Sequence, residues 1–302
     1  MNMENKLLSE NIGIIIVMYN PSMKEIDNVK NIALYYKGVI VDNSPYRNFI
    51  KDKIGYMTYY PLENNTGIAF AQNIGIKRLI STNGITHILF LDQDSKIDID
   101  FPLKMQKEYG RIKSNNKKLA FLGPRVIDDY TKEEYKSPVH KNDTVKEGFT
   151  QRREIISSGS IIELVTLQSI GLTLTTLFID FVDFELCWRA KHKGYTCGIT
   201  QNIQMNHQVG GKSITIGSYK ILVWTPFRYY FQARNFIWLI TVNYVPIKWK
   251  LATGIKFIAR IVFLPFMHNR KGLACWKQLI KGFICSRHGF RNFKNEVNSY
   301  DK

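Results

Sequence analysis

Short apolar runs alternate with helix-like stretches in the first part of the chain, from residue 12 to about residue 125. The runs IGIIIVM, GVIVD, HILFLD and LAFLGPRVI are nearly continuous in apolar character, which is typical of strands that a parallel sheet buries on both faces. Between them, segments such as MKEIDNVKNIALYY and AFAQNIGIKRLI have the apolar spacing of helices. This order predicts an α/β domain with a mostly parallel sheet flanked by helices.

The rest of the chain predicts a second group of elements. Residues 128–150 are charged and rich in turn-forming residues, so we expect a surface excursion there. The chain resumes at SSGSIIEL and continues into a helix near residues 183–193, which Gly194 should end. Two further helices are predicted near residues 246–264 and 273–285, separated by a turn that contains a proline.

The composition fits a globular protein rather than a disordered one. The 302 residues are 45% hydrophobic and 13% aromatic, enough for one large domain or for a domain with an appendage. The four cysteines have neither CxxC spacing nor the density of a secreted disulfide scaffold, which indicates reduced thiols in a cytoplasmic protein. The N-terminus lacks the pattern of an export signal, and no apolar run of about 18 residues without a charge predicts a membrane-spanning helix.

The net charge of +17 is concentrated near the C-terminus. Residues 235–295 contain eleven Lys or Arg residues and no Asp or Glu. Aromatic residues are interleaved with these cations: Trp238, Trp249, Phe257, Phe263, Phe266, Trp276 and Phe283. The pattern favours a membrane surface or a nucleic acid as partner, and the alternative is a solvated basic face over an ordinary helical core. We therefore expect a domain over residues 1–240 and a basic, mainly helical region over residues 241–302.

Polar side chains follow three of the predicted strands, at the point where each strand ends: Tyr19, Asn20, Asp42, Asn43, Asp92 and Asp94. Parallel sheets bind ligands at the carboxyl ends of their strands, so these residues are candidates for a site. Asp92 and Asp94 are one residue apart, and two carboxylates that converge repel each other unless a cation lies between them. Their oxygens suit Mg²⁺ or Mn²⁺ together with substrate phosphates, although a lone Asp-x-Asp is also common in turns.

The motifs VMYNPS, VDNSP, NNTGIAFAQNIGIK, FLDQDS, FIDFVDFELCWRAKHKGY and NHQVGGKS occur in this order along the chain. Together they resemble the family 2 glycosyltransferases, whose nucleotide-sugar-binding fold is called GT-A. The sequence is most similar to bacterial rhamnosyltransferases of polysaccharide and O-antigen synthesis, in which the metal motif commonly reads Asp-Gln-Asp-Ser. The resemblance covers about residues 11–240 and implies a GT-A fold for that part.

The resemblance implies a donor-binding side at the strand ends. Asp42 matches the acidic residue that holds the base or ribose of the nucleotide, and a turn or capping aspartate is its alternative role. Gly67 would let the backbone approach the ligand, whereas Asn73 could instead cap or pack a helix. The residues assigned to the nucleotide-sugar are Tyr19, Asn20, Asp42, Asn43, Gly67, Asn73, Asp92 and Ser160.

The resemblance also implies a metal site. Asp94 is the expected direct ligand, with Asp92 near the ribose or reaching the metal through water. His207 matches a further ligand of the family, although a lone histidine is more often a packed or surface residue. Residues 209–211, Val-Gly-Gly, could close over a diphosphate.

On the acceptor side, Asp183 matches the carboxylate that deprotonates the attacking hydroxyl, with Asp180 as the alternative. The family's usual Glu-Asp pair reads Val182-Asp183 here, a departure that the rhamnosyltransferase group tends to share. A structural alternative for Asp183 is the N-cap of the following helix. Glu185 and Arg189 lie four residues apart and are expected to pair on that helix.

The implied activity is the inverting, metal-dependent addition of one sugar, L-rhamnose from dTDP-L-rhamnose, with UDP-hexoses as the open alternative. The acceptor would be a glycan on a polyprenyl diphosphate lipid at the inner face of the cell membrane, to which the basic C-terminal region would attach peripherally. A processive synthase would carry Gln-x-x-Arg-Trp, whereas residues 232–236 read Gln-Ala-Arg-Asn-Phe. The rival class is a non-catalytic protein that binds nucleotide-sugars or nucleic acid, but a nucleic-acid partner gives the acidic motifs no role. The sequence does not indicate the oligomeric state.

Overall fold

The structure, a computed structural model, describes residues 6–49, 51–128, 145–207, 212–216, 219–267 and 270–300. Its strands are β1 (Ser9–Met18), β2 (Tyr36–Asp42), β3 (Lys53–Ile54), β4 (Met57–Pro61), β5 (His87–Asp92), β6 (Leu119–Asp128), β7 (Val145–Lys146), β8 (Phe149–Arg152), β9 (Ile161–Glu163), β10 (Thr196–His207), β11 (Lys212–Ile216) and β12 (Tyr219–Val223). Its helices are α1 (Met23–Ala33), α2 (Ile68–Ile80), α3 (Phe101–Asn115), α4 (Leu164–Ile170), α5 (Val182–His192), α6 (Pro226–Leu239), α7 (Ile247–Phe263), α8 (Arg270–Ile284) and α9 (Phe290–Tyr300). Most of the predicted surface excursion, residues 129–144, lies outside the described residues.

The first ten strands form one sheet in the order β3-β4-β2-β1-β5-β9-β6-β10-β8-β7. Strands β4, β2, β1 and β5 are mutually parallel, and β10 is parallel to β6. The short strand β9 lies between β5 and β6 and is antiparallel to both, so β5 and β6 run in the same direction. The predicted α/β class with a mostly parallel sheet is confirmed, although the antiparallel insertion of β9 is not evident from the apolar runs.

Helices cover both faces of the sheet, which explains the continuous apolar strands. In β1, the side chains of Ile14 and Ile16 join a core with α1 and α3. Ile15 points to the other face, where α2, α4 and α5 form a second core. Because all three isoleucines are at most 1% exposed, a polar residue at any of these three positions would cost stability.

The helix ends follow local chemistry. Ser22 and Glu25 form a capping box at the start of α1, in which each side chain binds the backbone amide of the other residue. The helix predicted near residues 183–193 is α5, and Gly194 follows it with a φ of 82°. This left-handed conformation is accessible to glycine at little cost, so the predicted helix end is confirmed.

The C-terminal helices share a third hydrophobic core with α5. Trp188 of α5 packs against Trp249 of α7 with ring centroids 4.7 Å apart. Helix α8 lies close to α6, since a Cβ at Gly282 would be 2.3 Å from the carbonyl oxygen of Tyr230. The described part of the chain contains no helix that is long and apolar enough to cross a membrane.

The aromatic residues of the C-terminal region mostly face this core rather than a partner. Trp238, Trp249 and Phe257 are at most 8% exposed, and Trp276 and Phe283 pack against the same cluster. Phe263 and Phe266 remain strongly exposed, at 65% and 79%. Most of these aromatics therefore belong to a helical core, which is the alternative that the sequence leaves open, because a helix with two apolar faces uses one of them for packing.

Candidate active site

The candidate site lies at the edge of the sheet where β1, β2 and β5 end. Asp42 ends β2 beside Met18 of β1, and Asp92 ends β5 beside Val17 of β1. Because these strands are parallel, the loops that follow them leave the sheet at the same edge. The candidate residues that lie at this edge are Tyr19, Asn20, Asp42, Asn43, Asp92 and Asp94.

Hydrogen bonds tie the loops after these strands to one another. The backbone amide of Tyr19 donates to Oε1 of Gln93 at 2.6 Å, and the side-chain amide of Gln93 donates to Glu25 at 3.1 Å. The backbone amide of Asn20, whose φ is 46°, donates to Oγ of Ser44 at 2.8 Å. The loop after β1 is thereby fixed against the loops after β2 and β5.

The Asp-Gln-Asp-Ser turn is held by polar neighbours. Oγ of Ser95 accepts from the backbone amide of Asp92 at 3.0 Å and hydrogen-bonds with Oγ of Ser158 at 3.0 Å. The side chain of Asn28 donates to the carbonyl oxygens of Gln93 and Ser95 at 3.2 and 2.9 Å. None of these bonds uses a carboxylate oxygen of the turn.

The carboxylate of Asp94 has different surroundings from the buried carboxylate of Asp42. Asp94 is partly exposed, and it accepts no hydrogen bond from the part of the chain that the structure describes. Lys96 forms an isolated β-bridge with Asn206, so the turn lies beside the end of β10, where His207 is the last residue. Carboxylate oxygens are ligands that suit Mg²⁺ or Mn²⁺.

The ligand set is incomplete among the described side chains. No group of three or more His, Cys, Asp or Glu side chains suited to a metal occurs among them. His207 is described in its backbone, which pairs with Asp128, but not in its side chain. Residues 208–211, which include the predicted Val-Gly-Gly closure, lie outside the described residues.

Asp42 is buried and strongly hydrogen-bonded. Its Oδ2 accepts from the hydroxyl of Tyr59 at 2.6 Å and from the side chain of Asn48 at 2.8 Å, and Oδ1 accepts from the amide of Ser44 at 3.1 Å. Burial, followed by the bond to Asp42, raises the pKa of Tyr59 to about 12. The structural role that the sequence allows for Asp42 is thus present, and a nucleotide would have to bind through its remaining Oδ1 lone pair.

A second set of contacts links the end of β2 to the start of α2. Oδ1 of Asn43 accepts from the backbone amide of Thr66 at 2.7 Å, and the side chain of Asn43 donates to Asn65 at 2.9 Å. Gly67 precedes α2 with a φ of 86°, and a Cβ there would be 2.5 Å from the carbonyl oxygen of Phe178. The sequence predicts that Gly67 lets the backbone approach a ligand, and the structure shows a close approach to residues 175–181, which precede α5 and are called the acceptor-side loop because the resemblance places Asp183 on the acceptor side.

Two other residues that the sequence assigns to the nucleotide-sugar form hydrogen bonds within the protein. Asn73 donates to the carbonyl oxygen of Thr173 at 2.8 Å and accepts from its amide and hydroxyl at 3.0 and 2.7 Å. Ser160 donates from its hydroxyl to the carbonyl oxygen of Ser157 at 2.7 Å. Both side chains are buried, so each supports a loop of the site from beneath.

The acceptor-side loop contains unusual backbone conformations. Phe178, Asp180 and Phe181 have φ values of 66°, 66° and 65°, in the region that is unfavourable for residues with a Cβ. The ring of Phe178 stacks on Phe231 of α6 with centroids 4.6 Å apart. Clustered strain of this kind persists only where packing enforces it, and it occurs preferentially at functional sites.

Asp183 lies in the first turn of α5, directly after this loop. The N-cap position belongs to Phe181, so Asp183 is not the N-cap of the helix. Its Oδ1 accepts from the amide of Phe184 at 3.0 Å. Burial raises the pKa of Asp183 to about 7, the nearby charge of Asp180 adds to the effect, and backbone hydrogen bonds oppose it. The group can therefore exchange a proton near neutral pH.

The alternative carboxylate, Asp180, is already paired. Arg228 donates to it from Nε at 3.2 Å and also from Nη2, and the guanidinium of Arg228 lies 4.0 Å from the ring centre of Trp224.

The predicted pair of Glu185 and Arg189 on α5 is confirmed. Arg189 donates to Glu185 at 2.8 and 3.0 Å, and both side chains are fully buried.

A known relative decides the family. The dTDP-rhamnosyl transferase RfbF of Shigella flexneri is 34% identical to this chain over 256 residues, which cover 80% of this chain and 83% of the relative. The chain belongs to the family 2 rhamnosyltransferases. It is an enzyme, a glycosyltransferase, and this class uses a nucleotide-sugar donor and a glycan acceptor. No protein-family model matches the sequence.

Solved structures with a similar course of the chain are glycosyltransferases of low sequence identity. GalNAc-T7 with UDP, GalNAc and Mn²⁺ is 14% identical with a TM-score of 0.49, covering 80% of this chain and 53% of that chain. S. aureus TarS 1-349 is 11% identical with a TM-score of 0.48, covering 96% of this chain and 88% of that chain. The present glycosyltransferase spans about half the length of the GalNAc-T7 chain.

Sequence reasoning missed the residues that hold the acceptor-side loop of the glycosyltransferase. Asn235 of α6 donates to the carbonyl oxygens of Leu177 and Ile179 at 2.9 and 2.8 Å. Glu296 of α9 accepts four hydrogen bonds, from the amides and hydroxyls of Thr175 and Thr176, at 2.6–3.0 Å. One signal was available, because Glu296 is the first acidic residue after Glu185, which lies in α5.

The donor side also depends on two residues that the sequence does not mark as ligands. Gln93 and Asn28 fix the Asp-Gln-Asp-Ser turn, although the sequence marks only its two aspartates as candidate ligands.

A surface cavity of about 640 Å³ lies between β2, β4 and α2, lined partly by Lys37 and Arg78. Its lining includes Lys37, Gly38 and Val39 at the amino end of β2, and it includes none of the candidate residues at the strand ends.

Proposed function

We propose that this glycosyltransferase transfers L-rhamnose from dTDP-L-rhamnose to a glycan carried on a polyprenyl diphosphate lipid, with inversion and with Mg²⁺ or Mn²⁺. The observation that carries the mechanism is the contrast between two carboxylates. Asp94 is partly exposed and has no protein hydrogen bond within the described chain, whereas burial raises the pKa of Asp183 to about 7. The first environment suits a cation ligand and the second suits a base.

The donor side would be formed by the loops at the strand ends. Asp94, Asp92 and His207 would hold the cation, which when bound would neutralise the charge of the diphosphate leaving group. Asp42 would reach the base or ribose, and Gly67 would serve the site indirectly, by letting the backbone approach the loop at Phe178. The fixed turn that carries Asp94 supports this assignment, because a ligand held in place loses little freedom on binding.

The acceptor side would perform the proton transfer. Asp183 accepts the proton of the attacking acceptor hydroxyl while that oxygen forms a bond to the anomeric carbon. The bond between the anomeric carbon and the diphosphate oxygen breaks at the same time, and dTDP leaves on the opposite face. Asp180 is the poorer candidate for this role, because its carboxylate is already held in an ion pair with Arg228.

Relation to the Shigella enzyme supports the donor, since that protein's name specifies dTDP-rhamnose chemistry. A lipid-linked acceptor would place the enzyme on the cytoplasmic face of the membrane, attached peripherally. The basic C-terminal helices support this placement, because they contain eleven Lys or Arg residues between residues 235 and 295.

The test of the donor and metal is release of nucleoside diphosphate. The purified enzyme is incubated with dTDP-L-rhamnose or with UDP-hexoses, Mg²⁺ or Mn²⁺, and membranes that carry lipid-linked glycans. We expect release with dTDP-L-rhamnose and its loss when EDTA is added. Release with UDP-hexoses alone would exclude the rhamnosyl donor, and activity that resists EDTA would exclude the metal.

Matched variants test the two carboxylates. Asp94→Ala should abolish transfer, and Asp98→Ala, which removes an exposed carboxylate nearby, should leave it intact. Asp183→Asn should retain donor binding and lose at least ~10²-fold in turnover, the usual contribution of a general base. Near-normal turnover in Asp183→Asn, together with loss in Asp180→Asn, would transfer the role of base to Asp180.

A further inference from the structure

Helix α7 has two apolar faces, and only one of them packs against the protein. Trp249, Thr253 and Phe257 are at most 8% exposed and lie against the C-terminal core. The other face carries five large aliphatic residues that are each 52–68% exposed: Ile247, Leu251, Ile255, Ile258 and Val262. A helix that only completed a core would be polar on this second face.

The spacing of the five residues makes them one continuous stripe. At about 100° per residue, positions 247, 251, 255, 258 and 262 fall within an arc of about 80°, over roughly 22 Å of helix. Phe263 and Phe266, which are 65% and 79% exposed, follow at the C-terminal end. Contiguous apolar surface of this kind is rare in monomeric proteins and marks a contact with a membrane or another protein.

The charges around the stripe favour an anionic lipid surface. Lys248 is exposed beside the stripe on α7, Lys256 is exposed further round the same helix, and Lys271, Lys277 and Lys281 are exposed on α8. No Asp or Glu occurs between residues 186 and 295 to balance them. A second copy of the chain would bring these like charges together, whereas anionic headgroups would neutralise them.

The buried face of α7 contacts the acceptor-side loop, whereas the stripe lies on the opposite face of the same helix. The ring of Trp249 packs edge-on against Phe181 with centroids 5.1 Å apart. Phe181 precedes Asp183 by two residues and has one of the strained φ values. A surface that covers the exposed face of α7 is therefore separated from the acceptor-side loop by the thickness of one helix.

We propose that α7 lies in the plane of an anionic bilayer, with the aliphatic stripe and Phe263 and Phe266 below the headgroups and the flanking lysines among them. The inference deepens the proposed function and rests on it for its purpose, because a lipid-linked acceptor presents its glycan at this surface. The partner is the lipid surface itself, and no protein receptor is required.

Vesicle co-sedimentation of the full chain tests the proposal without donor or acceptor. The probes are vesicles of phosphatidylcholine with phosphatidylglycerol and vesicles of phosphatidylcholine alone. We expect wild-type protein to bind the anionic vesicles, and Leu251→Glu/Ile258→Glu to bind at least ~10-fold more weakly, since each buried aliphatic side chain contributes to insertion. The matched control is Met23→Glu/Val165→Glu, which alters two side chains that are 70% and 68% exposed elsewhere.

The outcomes separate the alternatives. Equal vesicle binding by the wild type and the stripe variant would overturn the proposal. Light scattering gives a second contradicting result. If the wild type is a dimer, the stripe variant is a monomer and the variant still binds vesicles, the stripe contacts a second copy of the chain and the proposal is overturned. Urea unfolding shows whether the double variant is folded. If it is not, the single variant Ile255→Ser is used in its place. Vesicle binding that depends on the stripe, with no transfer from any donor, would refute the proposed function and leave this inference standing.

Discussion

Asp183→Asn should make the protein more stable at alkaline pH. Burial raises the pKa of Asp183 from 3.8 to about 7 in the folded state. Between these two values the folded protein retains a proton that the unfolded chain has lost. Because the folded state binds more protons there, the free energy of unfolding of the wild type falls as pH rises through this interval. Asparagine cannot ionise, so the variant lacks this decrease.

The size of the effect follows from the pKa shift. Each pKa unit corresponds to about 1.4 kcal/mol, so a shift from 3.8 to about 7 corresponds to a ceiling of about 4 kcal/mol. Asp183 keeps some contact with solvent, which reduces the penalty on the charged form. We expect Asp183→Asn to be about 2–4 kcal/mol more stable than the wild type above pH ~8, and to differ little near pH ~4.

Urea unfolding across this pH range, in EDTA, measures the prediction. Wild type and Asp183→Asn are compared at each pH, and the difference in free energy of unfolding is plotted against pH. Asp98→Asn, which removes an exposed carboxylate, is the control and should run parallel to the wild type. If Asp183→Asn also runs parallel to the wild type, the folded carboxyl titrates as it does in the unfolded chain, and the reasoning about burial is refuted.

Three further predictions concern residues that support the site. Glu185→Ala leaves the buried guanidinium of Arg189 without its carboxylate, so we expect the free energy of unfolding in urea to fall by about 3–5 kcal/mol. A fall of less than about 1 kcal/mol would contradict the burial of this ion pair. Gly67→Ala places a Cβ 2.5 Å from the carbonyl oxygen of Phe178 at a positive φ, so it should lower the free energy of unfolding by about 1–3 kcal/mol. Gly110→Ala is the control, because a Cβ at Gly110 meets nothing within 4 Å. Glu296→Ala removes four hydrogen bonds to the acceptor-side loop, so steady-state kinetics should show a fall in kcat with little change in the donor KM, and unchanged kcat would refute the role.

The sequence predicts the first half of the fold because its signals are local. Continuous apolar runs identify β1, β2 and β5, and the parallel arrangement then brings Asp42 and Asp92 to one edge of the sheet. Strand β9 has only three residues, Ile161–Glu163, and it pairs with residues more than 70 positions away in β5. Neither its length nor its partner leaves a periodic pattern that sequence analysis can detect.

The support of the site is harder to predict than its chemistry. Glu296 reaches Thr175 across 121 residues, and no motif links them. Similarly, helical spacing predicts that α7 is apolar, but it cannot decide which of two apolar faces packs inward. Trp249 and Phe257 lie in the core, because packing against α5 and α6 decides the orientation of the helix.

The position of β9 has a consequence for how the chain acquires its structure during synthesis. Strands β5 and β6 are successive but do not pair, and β9 is the strand between them. Until residues 161–163 have left the ribosome, the edge of β5 at Ile88 and Leu89 has unpaired backbone groups. The nascent N-terminal half therefore carries an open apolar edge that can join a neighbouring chain, and slow translation before residue 163 should increase aggregation.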